Sequence, residues 1–183
     1  MSMVKSIPID EHCGLADKNM LYHGNLDLDL VDNYIPENND LLKNSIEAED
    51  SALNIKGITN SEGASSSYSK NKFYLATSDG FFNTNDKTNY STGISVIAGK
   101  GTKMERDYEY QSKVHFSDLD NPKKIGEKAA ERAISRLNPK KVKSDSVPVI
   151  FDPRVSGSLL SLFIGVISGQ AITRGTSFLK DKM

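Results

Sequence analysis

Val147-Pro-Val-Ile-Phe-Asp-Pro-Arg-Val-Ser-Gly-Ser-Leu-Leu-Ser-Leu-Phe-Ile-Gly-Val-Ile-Ser-Gly-Gln170, followed by Arg174-Gly-Thr-Ser-Phe-Leu-Lys-Asp-Lys182, is the most apolar part of an otherwise polar chain. The β-rich run 147–151 gives way at Asp152-Pro153 to an apolar segment over 155–167, which reads as strand, turn and buried helix.

Asn121-Pro122 is a cap and first-turn pair that predicts a helix through Ile125, Ala129, Ala130, Ala133, Ile134 and Leu137, ended by Asn138-Pro139. Before it lies a β-rich region. Lys72-Phe-Tyr-Leu-Ala-Thr-Ser runs into the hairpin-type turn Asp79-Gly80, and Tyr90 to Ala98 follows with Ile94, Val96 and Ile97. Gly99 to Gly101 turns the chain again into Met104-Glu-Arg-Asp-Tyr-Glu-Tyr, where Asp107 and Glu109 alternate with Tyr108 and Tyr110. Four or so short strands joined in this way predict an antiparallel meander. Upstream, Pro36 and Asp40 open an amphipathic helix with Leu41, Leu42, Ile46, Ala48, Ala52 and Leu53 on one broad face. Leu26-Asp-Leu-Asp-Leu alternates with period two, as a short half-buried or edge strand would. The predicted fold class is α+β: mostly an antiparallel sheet meander with packed helices, ending in a strand-helix unit that opens an incomplete second domain. The expected domains are 1–142 and 143–183.

Composition narrows the function classes without naming one. The chain has 183 residues, 37% of them apolar and 26% charged, as in ordinary globular proteins. A net charge of −1 gives no global pull toward nucleic acid or an anionic surface, and Lys140, Lys141 and Lys143 read as a solvated linker cluster. No apolar run approaches the roughly 20 residues of a membrane span, and the N-terminus lacks the apolar core of a secretory signal. No nucleic acid or membrane partner is expected, and the expected location is cytoplasmic. The single Cys13 can form no internal disulfide.

Few residues suggest a chemistry. His12, His23 and His115 have no second His, Cys or carboxylate at ligand spacing, whereas a zinc site needs about three or four converging ligands. His12 and Cys13 are neighbours in a terminal loop where their side chains need not meet. Gly99-Lys-Gly101 lacks the rest of a phosphate-cradling loop, and no serine sits in a Gly-x-Ser-x-Gly elbow. The acidic run around Glu47, Glu49 and Asp50 reads as a solvated face. Glu62 before Gly63 and the set Glu105-Arg106-Asp107 remain as unspecific polar candidates.

Several patches, taken together and in order, resemble the TldD/PmbA family, also called modulators of gyrase, in its PmbA (TldE) branch. They are Gly14-Leu-Ala-Asp, Leu26-Asp-Leu-Asp-Leu, Asn60-Ser-Glu-Gly-Ala-Ser, Met104-Glu-Arg-Asp-Tyr-Glu-Tyr, Ser135-Arg-Leu-Asn-Pro-Lys-Lys, Pro148-Val-Ile-Phe-Asp-Pro-Arg-Val and Thr176-Ser-Phe-Leu-Lys-Asp-Lys. The resemblance implies longer relatives, so that this chain corresponds to a middle piece, truncated at both ends, with residues 1–5 the tail of an interrupted helix. It also implies a metallopeptidase setting. In the TldD branch the helix after the Pro-Val run carries His-Glu-x-x-x-His, and that pattern falls here on Ser161, Leu162 and Val166. A serine and two aliphatic side chains cannot replace two imidazoles and a carboxylate.

The resemblance therefore implies no catalytic residue and no metal in this chain, with zinc expected only in a TldD-like partner. Possible substrate-cleft or structural motif residues are Glu62, Gly63, Arg106, Asp107, Tyr108 and Arg174. The expected partners are a TldD-like subunit or a second copy, together with a peptide substrate. The alternative is a non-enzymatic interaction or scaffold fragment, or one piece of a split gene.

Overall fold

The computed structural model describes residues 5–8, 14–24 and 26–182; His12, Cys13 and most of the 1–5 segment discussed above lie outside this range. The chain divides into two compact units, Met1–Pro139 and Lys140–Met183.

In the first unit, helix α1 (Asn38–Leu53) opens with a reciprocal cap. The Glu37 side chain accepts from the backbone at Asp40, and the Asp40 carboxylate accepts from the Glu37 N–H, so two orphan donors are satisfied. Strands β1 (Ile58–Ala76) and β2 (Phe82–Ala98) then form a long antiparallel hairpin, closed by a turn in which Thr77 N–H donates to Phe81 O and Gly80 N–H to Thr77 O. Strand β3 (Glu105–Lys113) pairs with the other edge of β2, but only from Tyr90 to Ala98. The order is β1-β2-β3. The meander is therefore three strands rather than four, because what read as separate short strands is continuous through 58–76 and 82–98. Serine, threonine and asparagine occupy much of that length, and they interrupt hydrophobic alternation without breaking the ladder.

Helix α2 (Pro122–Ser135) starts where expected, with Asn121 Oδ1 accepting from Lys123 N–H at 2.8 Å. Both helices lie against the same sheet. The core joins Ala52 of α1, Ile94, Val96 and Ala98 of β2, and Ile125, Ala129, Ala130 and Ala133 of α2. Alanines dominate the helix side because the two helices approach closely. A Cβ on Gly126 would stand 2.1 Å from Ala48 O and 2.2 Å from Ser51 Oγ. Ser51 Oγ spans the helices, 2.9 Å from Ala48 O and 3.1 Å from Lys123 O, which it can reach as donor. The apolar face expected on α1 is narrower than its sequence suggests: Ala48 and Ala52 are buried, while Leu42, Ile46 and Leu53 stay exposed. Only the smallest side chains fit the contact with α2, and the larger ones lie beside it.

The expected strand at 26–30 is an irregular segment outside the sheet, with Asp29 at φ 49°, contacting the sheet through one backbone bond from Thr88 N–H to Leu30 O at 3.0 Å. Beyond it, Thr88 Oγ1 accepts from Asp32 N–H, and Asp32 Oδ2 accepts from Phe116 N–H, so the chain is tied down just before α1. Tyr90, fully buried, donates from its hydroxyl to Tyr34 O and packs against Tyr34, Tyr68 and Phe116. Burial, with the nearby Asp32 carboxylate, pushes that hydroxyl up to about 12.

The second unit holds helix α3 (Pro153–Ile167) and the short helix α4 (Gly169–Thr173). Asp152 caps α3 by accepting from Arg154 N–H at 2.8 Å, as the Asp-Pro pair predicts. Two expectations differ here. Residues 147–151 form no strand, since among the described residues of this unit no other extended segment offers a ladder. The helix is formed but not buried: Leu159, Leu160, Leu162, Phe163 and Ile164 are each about half exposed or more. No helix among the described residues is long and apolar enough to cross a membrane.

Candidate functional site

The candidate polar residues concentrate at one end of the sheet, where β1 carries an irregularity. Ser61 pairs with Val96 and Gly63 with Ser95, so Glu62 is the extra residue of a bulge. Gly63 accommodates it at φ 106°, a left-handed conformation that side chains resist. The bulge turns the Glu62 carboxylate across the sheet. Ser95 Oγ donates to Glu62 Oε2 at 2.7 Å, and Arg106 Nη1 donates to the same oxygen at 3.2 Å. The Ser95 hydrogen bond, with the Arg106 charge second among the lowering influences, holds the Glu62 carboxyl below its ordinary range. A carboxylate held ionised in this way is a weak proton donor and a weak base. The trio can orient a polar group or a backbone, but among the described residues nothing beside it offers a nucleophile with an activating base.

Alternation along β3 separates the remaining candidates. Arg106, Tyr108 and Tyr110 share the face away from α2, and Tyr108 and Tyr110 are exposed. Asp107 lies on the opposite face and is buried, with Arg136 Nη1 at 3.4 Å from its Oδ2; it also accepts from Tyr108 N–H. Glu109, on the same face as Asp107, pairs with Arg132. The acids thus face the helix and the tyrosines face outward. Arg132 of α2 and Arg136, the residue that caps its C-terminus, make this possible, and their positions could have been found by asking which basic residues at helical spacing follow the strand. Ser95 was missed because no motif marks it; its role comes from a register that the bulge sets.

Arg174 belongs to the second unit, as the exposed residue after α4. Ser161, Leu162 and Val166 lie on α3. Ser161 and Leu162 are exposed, and Val166 offers only its backbone carbonyl, which accepts from Ser177 Oγ at 2.6 Å. One hydroxyl and two aliphatic groups do not fit a zinc ion. Among the described residues, no three His, Cys, Asp or Glu side chains are grouped so as to hold a metal.

Comparison with known proteins places this geometry. Residues 32–137 match the PmbA/TldA metallopeptidase central domain and residues 144–183 its C-terminal domain. The metalloprotease PmbA homologue of Haemophilus influenzae is 35% identical over 185 residues, covering 100% of this chain and 41% of its own length. Metalloprotease PmbA of Escherichia coli O157:H7 is 34% identical over 175 residues, covering 95% and 39%. A crystal structure from Bacteroides thetaiotaomicron, of a protein described as a candidate modulator of DNA gyrase, superposes with a TM-score of 0.89 at 30% identity, covering 100% of this chain and 42% of the other. A similarly described protein from Thermotoga maritima shares the fold, with a TM-score of 0.72 at 22% identity over 81% of this chain. The chain thus spans about two fifths of the length of these relatives. Because the central-domain match alone runs over more than half of its residues, the chain belongs to the PmbA/TldD metallopeptidase family.

Proposed function

We propose that this chain is a piece of a PmbA-type (TldE-type) subunit that handles unfolded peptides beside a zinc-bearing TldD-like subunit, without cleaving them itself. The observation that carries this reading is helix α3. Its ligand positions under the family pattern hold Ser161, Leu162 and Val166, while its apolar side chains stand exposed, a surface that the remaining length of the longer relatives or another polypeptide would cover. In this reading zinc, bound by the partner, supplies an activated water. The present chain binds and presents the peptide.

Co-expression with a TldD-like protein tests it. The expected result is a co-purifying complex that cleaves an unstructured peptide, with activity lost to a chelator and no cleavage by this chain alone. Chelator-sensitive cleavage by the isolated chain overturns the non-catalytic assignment.

The exposed face of α3 also favours a second reading, an interaction or scaffold fragment with no part in proteolysis. Light scattering after size exclusion separates it in one respect: a monodisperse monomer at all concentrations argues against a need for any partner on that face.

A further inference from the structure

The stretch that leads into α1 is fastened to the turn after β3 at several points, which gather around Thr88, Asp32 and His115. Thr88, fully buried on β2, donates its N–H to Leu30 O at 3.0 Å and its hydroxyl to Val114 O at 2.9 Å. The same hydroxyl oxygen accepts from Asp32 N–H at 2.9 Å. The Asp32 carboxylate then bridges the two segments, taking Tyr34 N–H on Oδ1 and Phe116 N–H on Oδ2, each at 2.9 Å. Residues 29–34 thereby form a strap over the turn 114–116. Tyr34 closes it from above, with its ring centroid 4.7 Å from that of Phe116 and 6.5 Å from that of Tyr90. Its hydroxyl donates to Asp40 Oδ2 of α1 at 3.2 Å.

The first residue of the strap is held in another way. Asp29 stands at φ 49°, a left-handed backbone that most side chains resist and that aspartate tolerates better than most. Its carbonyl oxygen and its carboxylate both reach one atom, His115 Nε2, the carbonyl at 3.0 Å and Oδ2 at 3.3 Å. An imidazole donates there only with a proton on Nε2, and only the doubly protonated ring also carries charge. That charge meets carboxylates: Asp29 and Asp32 on the strap and Asp118 on its own turn. β2 meets the turn with the uncharged Thr88 and with Tyr90, and Lys113 at the end of β3 is exposed. The aspartates, tyrosines and hydroxyl of the closure keep one charge state through neutral pH, and His115 does not.

We propose that His115 is the pin of a pH-sensitive clasp: charged, it holds residues 29–34 closed over Tyr90 and the 114–116 turn; neutral, it lets the strap loosen while the sheet and the helix pair stay folded. The bond to Asp29 O, with the surrounding carboxylates, holds the imidazole above its ordinary value of 6.5. Since the folded value lies above the unfolded one, this contribution is complete below the unfolded value and is lost as pH rises through the folded one. Asp32 sets the acid limit. Its carboxyl is held below the usual range by the Tyr34 and Phe116 amides, so its contribution is lost as pH falls through that lowered value. The strap is tightest between the two. The clasp belongs to the first unit alone and holds whether or not the chain serves a peptidase.

The test is nuclear magnetic resonance on the full chain from about pH 5.5 to about 8.5, following the His115 ring protons and the exchange protection of the Asp32, Tyr34, Thr88 and Phe116 amides. The expected result is a His115 titration above the ordinary histidine value. Over the same interval, and after correction for intrinsic exchange, those four amides lose protection by about two- to fivefold, with Val96 and Ala129 unchanged. His115→Gln keeps a donor without the charge, so the four amides should stay at the loosened level at every pH and the step should vanish. Asp29→Asn, which leaves the backbone carbonyl in place, should lower the His115 midpoint and shrink the step. A step that survives in His115→Gln assigns the change to another group and overturns the clasp. So does a strap whose protection ignores the His115 titration, or an equal loss at Val96 and Ala129, which is loosening of the whole unit.

Discussion

Helix α2 opens on Asn121-Pro122 and helix α3 on Asp152-Pro153, and in each the cap side chain accepts from the N–H two residues on at 2.8 Å. From there they diverge. Helix α2 carries lysines, glutamates and an arginine, yet it buries Ile125, Gly126, Ala129, Ala130 and Ala133. Helix α3 carries a single charged residue, Arg154, among aliphatic, aromatic, serine and glycine residues, yet it buries nothing within its unit. Local capping chemistry decides where a helix begins. Burial is decided by what stands opposite: the buried residues of α2 meet a sheet and a second helix of their own unit, whereas the described residues of the second unit offer α3 no sheet.

The contrast can be broken most forcefully at the core. Ile125→Ala is expected to cost about 2–5 kcal/mol in denaturant unfolding of the first unit, because a fully buried side chain leaves a cavity. Leu160→Ala, at a position 62% exposed, should change stability by no more than about 0.5 kcal/mol. If the two costs were similar, α3 would be packed in solution in a way that its own unit does not provide.

The glycines sharpen the point in the next size range. Gly126→Ala places a methyl against Ala48 O and Ser51 Oγ and is expected to cost about 1–3 kcal/mol by thermal or chemical melting. Gly157→Ala and Gly165→Ala meet nothing within 4 Å and should each strengthen α3, by up to about 1 kcal/mol, seen as slower amide exchange in that helix. Removal of the caps gives a smaller and symmetrical effect. Asn121→Ala and Asp152→Ala should each cost about 1 kcal/mol, the first read in global melting and the second as fraying of α3 alone.

The smallest effect is in pH. Lys128 of α2 donates to Asp120 at 2.8 Å, and Gln111 of β3 donates to the same oxygen at 2.7 Å, so the Asp120 carboxyl is held below its ordinary range. Since the folded value lies below the unfolded one, this contribution is present above the ordinary carboxyl range and is lost as pH falls through the folded value. Acid titration followed by circular dichroism should therefore loosen α2 before it alters α3, and Asp120→Asn should flatten the difference.

Both helix starts, the hairpin turn at Asp79-Gly80 and the turn around Gly99 were legible in the sequence because each depends on one or two residues with strong local preferences. The length of β1 and β2 was not, because their serines and asparagines blur the alternation that usually marks a strand. The run 147–151 has the composition of a strand, but a strand also needs a neighbour, which composition does not supply. At the candidate site, Glu62, Gly63 and Arg106 were visible as residues, whereas their meeting depends on a one-residue bulge that moves Ser95 and Arg106 into reach. Asp107 was grouped with them by adjacency, and the period of the strand sends it to the other face.

The hydroxyl of Ser51 lies within reach of Lys123 O, 72 positions further along the chain, and everything in the sheet lies between them. Closing so long a loop directly is costly in entropy, although the cost grows only with the logarithm of its length. Zippering the β1-β2 hairpin shortens the path residue by residue, and β3 then brings the start of α2 back over the same sheet. The order of events is therefore expected to run from hairpin to third strand to helix pair, with the Ala48–Gly126 contact among the last to form. Variants at that contact should accelerate unfolding far more than they slow folding.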